Sequence, residues 1–272
     1  MSAWGMPKVD RYSTIGFTSS SSAEEQVEID AQIIDDPDTK IFPACPDGYE
    51  VLHLSTKSGA ELWGGINAGR FFGNDPHFAG TTRIRVKLET KIEREYGEGL
   101  FQVRPVDASL FQCGFGFYCP TYRLVGKNLV LPTTTTIQVA AFAHDVAIFD
   151  SLHDFEKFNK KEKAKGKITM AAQSLAPAHL FANTKDEREE TMDKAIFTGH
   201  VVRAELKMNE RTGQSFYWAL VETLGGCQFD VVIHPSRVSP NHPPRPGSII
   251  QGAFFLSGRL LPEEDDTMRT KE

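Results

Sequence analysis

The sequence predicts a mostly-β protein, with two antiparallel β barrel or sandwich domains joined by a charged helical connector. Three observations lead to this fold class. Short runs of alternating apolar residues separated by turn residues fill most of the chain, as is typical of antiparallel sheets. Residues 151–194 instead have a charged composition that favours helix. The length of 272 residues is sufficient for two domains of ordinary size, each with its own core.

The N-terminal half divides into an arm and a β-rich domain. Residues 1–26 are rich in Ser and Thr and show little apolar periodicity, so we expect a flexible arm. In residues 27–150, clusters of Gly, Asp, Asn and Pro separate short apolar runs, which predicts an antiparallel domain. The strands predicted there are Val27–Ile34, Tyr49–Thr56, Ala60–Ile66, Thr82–Ile92, Gly99–Val106, Gln112–Tyr118, Arg123–Val130 and Thr135–Phe142.

The run from Thr82 to Ile92 has the clearest alternation in this half of the chain. Its apolar residues alternate with charged ones, which are Arg83, Arg85, Lys87 and Glu89. Successive side chains of a strand point to opposite faces, so one face of this strand is expected to meet solvent. No internal repeat links this region to the C-terminal unit.

The connector spans residues 151–194 and carries a dense run of lysines followed by an acidic run. We expect helix with breaks at Gly166 and Pro177, and a first helix that begins near Leu152. Either Asp150 or Ser151 is placed to cap that helix. The last residues, 262–272, are polar and acidic and are expected to form a flexible tail.

Residues 195–261 form the most recognisable unit. Three strands follow one another closely, a proline-rich segment interrupts the pattern, and one more apolar run closes the unit. Gly199 and Gly252 lie inside the first and the last of these strands, where glycine permits a sharp bend. The four predicted strands are Ile196–Met208, Ser215–Thr223, Gln228–Ile233 and Ser248–Leu261.

This meander, with its crossover and returning strand, resembles an oligonucleotide/oligosaccharide-binding (OB) barrel. The resemblance covers residues 195–261 and rests on pattern, without a diagnostic motif. Such barrels usually have a helix between the third and fourth strands, where this chain has the proline-rich segment from Pro235 to Pro246, for which we expect no regular helix. The same meander also fits a small open barrel or an antiparallel sandwich.

Charge and cysteine content narrow the functional classes. The net charge of −6 gives no global positive field that would attract nucleic acid, so any such binding needs a local patch. The four cysteines form no CxxC pair, which argues against a zinc ribbon or a redox motif. The N-terminus has no apolar signal core and no stretch is long enough to span a membrane, so we expect a cytoplasmic protein with buried free thiols.

The resemblance implies binding of single-stranded nucleic acid, which requires a stacking ring and positive charge along the backbone track. Tyr217 is the candidate ring, next to Arg203 and Lys207 if the first two strands of the unit pair across the turn at 209–213. Three carboxylates, Glu205, Glu222 and Asp230, dilute this patch. The full set of predicted nucleic-acid-binding residues is Arg203, Lys207, Arg211, Tyr217, His234, Arg237 and Arg259.

The sequence supports a catalytic function less well than a binding function. Five residues that could ligate a metal lie close in sequence, namely His144, Asp145, Asp150, His153 and Asp154. On one helix His144 and His153 would point to opposite faces, so a metal-dependent hydrolase is the least favoured class. The glycines of residues 59–75 lack the Lys-Ser/Thr pair of a phosphate-binding loop. We therefore expect no metal or cofactor, and a binding protein more than an enzyme.

Two functional classes follow from the sequence. The first is a protein that binds single-stranded nucleic acid or serves nucleic-acid metabolism as an accessory factor. The alternative is a non-catalytic module that assembles with a protein partner or with copies of itself. We expect no association with a membrane.

Overall fold

The computed structural model describes residues 10–18, 22–42, 48–94, 98–107, 114–126 and 128–262. The chain is mostly β, as predicted, and its strands form two sheets, one of four strands and one of nine. Within the described residues, none of the helices has the length and apolar character needed to cross a membrane.

The small sheet is an antiparallel meander built from the N-terminal part of the chain. Its strands are β1 (Lys40–Phe42), β2 (Tyr49–Ser55), β3 (Ala60–Asn67) and β4 (Arg70–Phe78), paired in chain order. Helix α1 (Ala23–Asp35) precedes them and buries Ile29 and Ile33, four residues apart. This spacing places both side chains on one face of the helix. Residues 27–34, predicted as a strand, are therefore helical.

The large sheet contains strands from both halves of the chain. Its order is β11-β12-β8-β5-β6-β7-β13-β10-β9, with further pairings of β11 with β10 and of β8 with β13. The strands are β5 (Ile84–Glu93), β6 (Gly99–Pro105), β7 (Phe115–Cys119), β8 (Thr133–Phe149), β9 (Ser174–Pro177), β10 (Lys194–Met208), β11 (Ser215–Glu222), β12 (Gln228–Ile233) and β13 (Ile249–Leu261). The two sheets thus do not coincide with the two segments, 27–150 and 195–261, that the sequence analysis assigned to separate domains.

Short helices connect the strands. Helix α2 (Tyr122–Val125) lies where the strand Arg123–Val130 was predicted, between β7 and β8. In the connector, helices α3 (Leu152–Ala164) and α4 (Lys185–Glu190) flank β9. Ser151 caps α3 by accepting a hydrogen bond from the Asp154 backbone N–H, which confirms the predicted start of that helix. A 3-10 helix, Pro235–Arg237, lies in the proline-rich segment between β12 and β13.

The pairings of the large sheet close two rings of five strands. The first ring runs β5-β6-β7-β13-β8 and returns to β5. The second ring runs β10-β11-β12-β8-β13 and returns to β10. The antiparallel pair of β8 and β13, which extends from Ile249↔Phe149 to Leu261↔Thr136, belongs to both rings.

The two rings repeat one pattern of connection. In each, three antiparallel strands form a meander, a short helix follows, and a fourth strand returns to pair with the first. The third strand of each ring pairs in parallel with the fourth strand of the other, β7 with β13 and β12 with β8. The structure therefore contains an internal repeat of β5–β8 and β10–β13. This repeat was not predicted, because the pattern of strand pairing is repeated but the amino-acid sequence is not.

A continuous apolar core fills the inside of both rings. It includes Val86 and Phe117 from the first ring and Phe197, Phe229 and Leu256 from the second. A second core lies between the large sheet and the small one, where Leu62 and Phe78 pack with Phe216 and Trp218. Residues 10–18 differ from the flexible arm that was predicted, because Tyr12, Ile15 and Phe17 are buried in this second core.

Candidate functional site

The outward side of the first ring is exposed and cationic. In β5, Val86 and Leu88 point into the core, whereas Arg85 and Lys87 at the alternate positions point to solvent. Strand pairing places polar side chains on both sides of these cations: Arg85 is opposite Thr136 of β8, and Lys87 is opposite both Thr134 of β8 and Arg104 of β6. We call this surface the open face, defined by Arg85, Lys87, Gln102, Arg104, Thr134 and Thr136.

Carboxylates at the margin of the open face reduce its charge without neutralising it. Glu89 accepts a hydrogen bond from Arg104 Nε at 2.9 Å. Asp107 lines a small hollow beside Arg83 and Arg85. Among the described residues, Arg85 and Lys87 have no ion pair with a carboxylate within 4 Å, so their charge faces solvent.

The corresponding outward side of the second ring is apolar and covered. Phe216, Trp218 and Leu220 of β11 point outward there, and all three are buried against the small sheet and the N-terminal segment. We call this surface the covered face. Large apolar side chains on a strand surface are removed from water when another layer packs against them. Strands β2, β3 and β4 provide that layer here.

Two of the predicted cations lie at the margin of the covered face. The Arg203 guanidinium and the Lys207 ammonium each lie 5.5 Å from the centre of the Trp218 ring. Lys207 also pairs with Glu205 at 3.2 Å. The structure thus brings Arg203 and Lys207 together, as predicted, but the aromatic side chain between them is Trp218 and not Tyr217.

Tyr217 lies on the opposite side of the strand. It pairs with Leu206, whereas Lys207 is opposite Phe216, because the β10–β11 hairpin closes through residues 209–214 with Met208 opposite Ser215. The side chain of Tyr217 packs against the core inside the rings. The predicted grouping of Tyr217 with Arg203 and Lys207 is therefore not found.

Asp230 organises the junction between the two faces. It is completely buried, and its carboxylate accepts hydrogen bonds from the backbone N–H groups of Thr81 and Thr82 and from the Trp218 indole at 2.9–3.0 Å. A Cβ on Gly80 would lie 2.0 Å from the Asp230 Cγ, so only glycine permits this approach of the chain. Asp230 was expected to dilute a surface patch, but its burial makes it a structural anchor.

That anchor places the start of β5 next to β10. Arg203 donates a hydrogen bond to the Thr81 hydroxyl at 3.2 Å, and exposed Arg83 follows two residues later. The cations of β10 and β5 consequently follow one another along the surface. We call this sequence of exposed or partly exposed cations the cationic track, consisting of Lys207, Arg203, Arg83, Arg85 and Lys87.

The other predicted residues are occupied elsewhere. Arg211 forms ion pairs with Asp36 and Asp38 after helix α1. Arg259 is 3.4 Å from the buried carboxylate of Glu61, and the polar contacts of Glu61 hold its pKa at about 2, well below the ordinary value, despite the opposing effect of burial.

His234 and Arg237 lie together after β12. His234 caps the 3-10 helix by accepting a hydrogen bond from the Ser236 backbone N–H at 3.1 Å. Burial and the neighbouring Arg237 charge lower the pKa of His234, so the imidazole is neutral at physiological pH. It therefore adds no positive charge to a nucleic-acid surface.

Four cations of these surfaces were not among the predicted binding residues: Arg83, Arg85, Lys87 and Arg104. The alternation of β5 was the available signal, since it placed the first three on a solvent face. Their proximity to Arg203 could not be inferred, because it depends on a contact between residues 122 positions apart.

The His/Asp cluster of residues 144–154 is divided in the structure. Asp150 pairs with His242 and Arg245, and Asp154 bonds with Ser151 in the cap of α3. Over the described ranges, no group of His, Cys, Asp and Glu side chains is arranged to hold a metal ion.

Comparisons with known protein families, with curated proteins and with solved structures find no match to this chain.

Proposed function

We propose that this protein binds single-stranded nucleic acid along the cationic track and the open face of the first ring. The observation that carries the proposal is the difference between two equivalent surfaces. The outward side of one ring is apolar and covered, whereas that of the other carries Arg85, Lys87 and Arg104 in water. Neighbouring outward residues on a strand are about 6.6 Å apart, so the cations form a regular row that an extended phosphate backbone can follow.

The strand order supports the same class of ligand. Each ring has a three-strand meander, a crossover with a short helix and a returning strand, an arrangement similar to an OB barrel. We extend the proposed OB-like assignment from residues 195–261 to both rings, with β8 and β13 each completing the other ring. OB barrels bind oligonucleotides on the exposed face of their second and third strands, and the open face shares the second strand, β6, with that surface.

The hydroxyl and amide groups around the row favour a sequence-tolerant mode of binding. Thr134, Thr136 and Gln102 can donate hydrogen bonds to phosphate or sugar oxygens. No aromatic side chain belongs to the open face as defined, so the stacking ring expected from the sequence has no counterpart there, and the proposed binding depends on electrostatic contacts with phosphates. The acidic net charge of the chain confines this attraction to the track.

The test is a fluorescence-anisotropy titration of labelled single-stranded DNA and RNA at several salt concentrations. Wild type is compared with Arg85→Ala/Lys87→Ala. Each phosphate contact to a single strand contributes about 0.7 to the slope of log affinity against log salt, so the double variant should reduce the slope by about 1.4. Its affinity at low salt should fall about tenfold or more.

The matched control is Lys157→Ala/Lys160→Ala on helix α3, which removes the same charge from exposed positions outside the cationic track and the open face. This variant should bind as wild type does. Equal weakening in the control would mean that only net charge matters. Failure of wild type to bind either strand at low salt would contradict the proposal altogether.

A further inference from the structure

A separate cleft lies between the small sheet and strand β7 of the first ring. It has a volume of about 320 Å³, in the range of small-molecule sites, and side chains of both sheets and of the N-terminal segment line it. We call it the polar cleft. The side chains that carry its chemistry are Arg11, Tyr49, Asn74, Asp75, Glu98 and Tyr118.

Asp75 is the fixed centre of the polar cleft. Its carboxylate accepts hydrogen bonds from Arg11 Nη2 at 3.1 Å and from the Tyr118 hydroxyl at 2.5 Å. The Arg11 guanidinium also lies over the Phe255 ring, 4.3 Å from its centre, which holds the side chain in place. The cleft therefore has charged groups in defined positions before any ligand enters.

Two polar atoms on side chains that line the cleft have no hydrogen-bond partner among the described residues, and both have almost no solvent-accessible surface. One is a donor, Arg11 Nη1, and the other is an acceptor, Asn74 Oδ1. Asn74 is only 8% exposed, and its amide nitrogen is held by Asp30 at 2.8 Å, which fixes the orientation of the side chain. Buried polar groups in folded proteins are nearly always paired, so an unpaired donor and acceptor in one cleft indicate a ligand that supplies both.

Glu98 adds a group that both donates and accepts at neutral pH. Burial and, to a smaller extent, the nearby charge of Asp75 raise the pKa of this carboxyl to about 7, against the lowering effect of Arg11 and Arg94. A carboxyl with this pKa is partly protonated under physiological conditions, and its acid form donates one hydrogen bond while it accepts others.

The aromatic walls of the cleft offer few open ring faces. The Arg123 guanidinium lies 3.6 Å from the centre of the Tyr49 ring, and His53 stacks on Trp63 at 3.8 Å. A Cβ on Gly65 would lie 1.6 Å from the Tyr49 hydroxyl, so glycine is required for Tyr49 to lie against β3. Since these rings already have stacked partners, the cleft favours a ligand recognised through hydrogen bonds over a flat base recognised by stacking.

We propose that the polar cleft binds one neutral sugar ring through its hydroxyl groups. A hydroxyl both donates and accepts, so neighbouring hydroxyls can pair with Arg11 Nη1 and Asn74 Oδ1 once small side-chain movements bring these two buried atoms to the ligand. Other hydroxyls donate to Asp75 and exchange hydrogen bonds with Glu98. Arg11 and Asp75 neutralise each other, which suits an uncharged ligand. This site is independent of the cationic track and does not rest on nucleic-acid binding.

The test is isothermal titration calorimetry with D-glucose, D-galactose, D-xylose and N-acetyl-D-glucosamine, and with uracil as a base without a sugar. We expect at least one sugar to bind and uracil not to bind. Arg11→Lys keeps a positive charge beside Asp75 but removes the second guanidinium nitrogen, and should weaken the affinity for that sugar about tenfold. Thermal melting of each variant verifies that it is folded.

The pH dependence gives a second readout. The charged and titratable groups around Glu98 are Asp75, Arg11, Arg94, Tyr118 and Tyr49, and burial keeps the two tyrosines neutral by raising their pKa values. A sugar that covers Glu98 favours its neutral form, so affinity should fall about fivefold from about pH 6 to about pH 8. Glu98→Gln should bind with little pH dependence, whereas the exposed control Glu156→Gln should behave as wild type.

Three outcomes would overturn the proposal. The first is the absence of binding by any of the four sugars. The second is preferential binding of uracil, which would assign the cleft to a base. The third is unchanged sugar affinity in a folded Arg11→Lys variant, which would place the bound sugar elsewhere on the protein.

Discussion

The two rings of the large sheet have one pattern of strand pairing and opposite surfaces. In the second ring, the outward positions of β11 hold Phe216, Trp218 and Leu220, which the small sheet covers. In the first ring, the outward positions of β6 include Gln102, which is half-buried, and Arg104, which is exposed. The pairing scheme is thus compatible with either surface, and the side chains at alternate positions decide which ring is covered.

The physical cause lies in the cost of exposing or burying each surface. Leaving three large apolar side chains in water is unfavourable by about 1.5–3 kcal/mol each, so the second ring gains stability from a cover. Burying the cations of the first ring without partners would be costly, so that face stays in water. The same repeat can therefore provide a packing surface on one side and a binding surface on the other.

The largest expected effect comes from breaking the junction between the faces. Asp230→Ala removes the acceptor for Thr81, Thr82 and Trp218, and leaves the N–H groups of buried Thr82 and Trp218 unpaired in the interior. We expect the free energy of unfolding to fall by about 3–5 kcal/mol in a urea titration. Asp107→Ala, at an exposed position, should change it by less than about 0.5 kcal/mol; a similar loss in both would contradict the anchoring role of Asp230.

A matched pair of substitutions tests the contrast between the faces. Trp218→Ala on the covered face should lower the free energy of unfolding by about 3 kcal/mol, because it opens a cavity between the sheets. Gln102→Ala on the open face should lower it by about 0.5 kcal/mol or less. Chemical denaturation measures both values. Comparable losses would mean that the open face is also a packing surface.

A smaller effect is expected from the titration of Glu98 beside the first ring. Its pKa rises from 4.5 to about 7 in the folded protein, so its contribution to stability is present below about pH 4.5 and is lost as the pH rises through about 7. Partial solvent contact reduces the effect to about 1–2 kcal/mol. The free energy of unfolding of Glu98→Gln, relative to wild type, should therefore increase between about pH 5 and pH 8; a constant difference would show that Glu98 titrates normally.

Much of the strand pattern could be predicted from the sequence. The four strands of 195–261 were placed within about two residues of their ends, because period-two alternation and turn residues are local signals. The strand predicted at 27–34 is helical because its apolar residues also satisfy a four-residue spacing, and the buried pair Ile29 and Ile33 decides between the two. Strands β1, β4 and β9 were not predicted, since two are short and β4 contains Gly73 and Pro76.

The candidate site was less predictable than the fold. Local alternation placed Arg203 and Lys207 on one side of a strand, but their partner depended on the register of the hairpin, which selects Trp218 over Tyr217. The ion pairs of Arg211 and the contact of Arg259 with Glu61 join residues distant in sequence. The polar cleft has no local sequence signal at all, because its side chains converge only after both sheets have formed.

The sharing of β8 and β13 has a consequence for how the chain reaches this state. The first ring needs β13, which lies at residues 249–261, more than a hundred residues beyond β7. During synthesis, residues 84–149 therefore emerge with the edges of β7 and β8 unpaired until nearly the whole chain is available. Such non-local pairing implies high contact order and slow folding. Unpaired strand edges also promote association between chains, so expression of residues 10–150 alone should give an aggregation-prone fragment that co-expression of residues 151–262 can rescue.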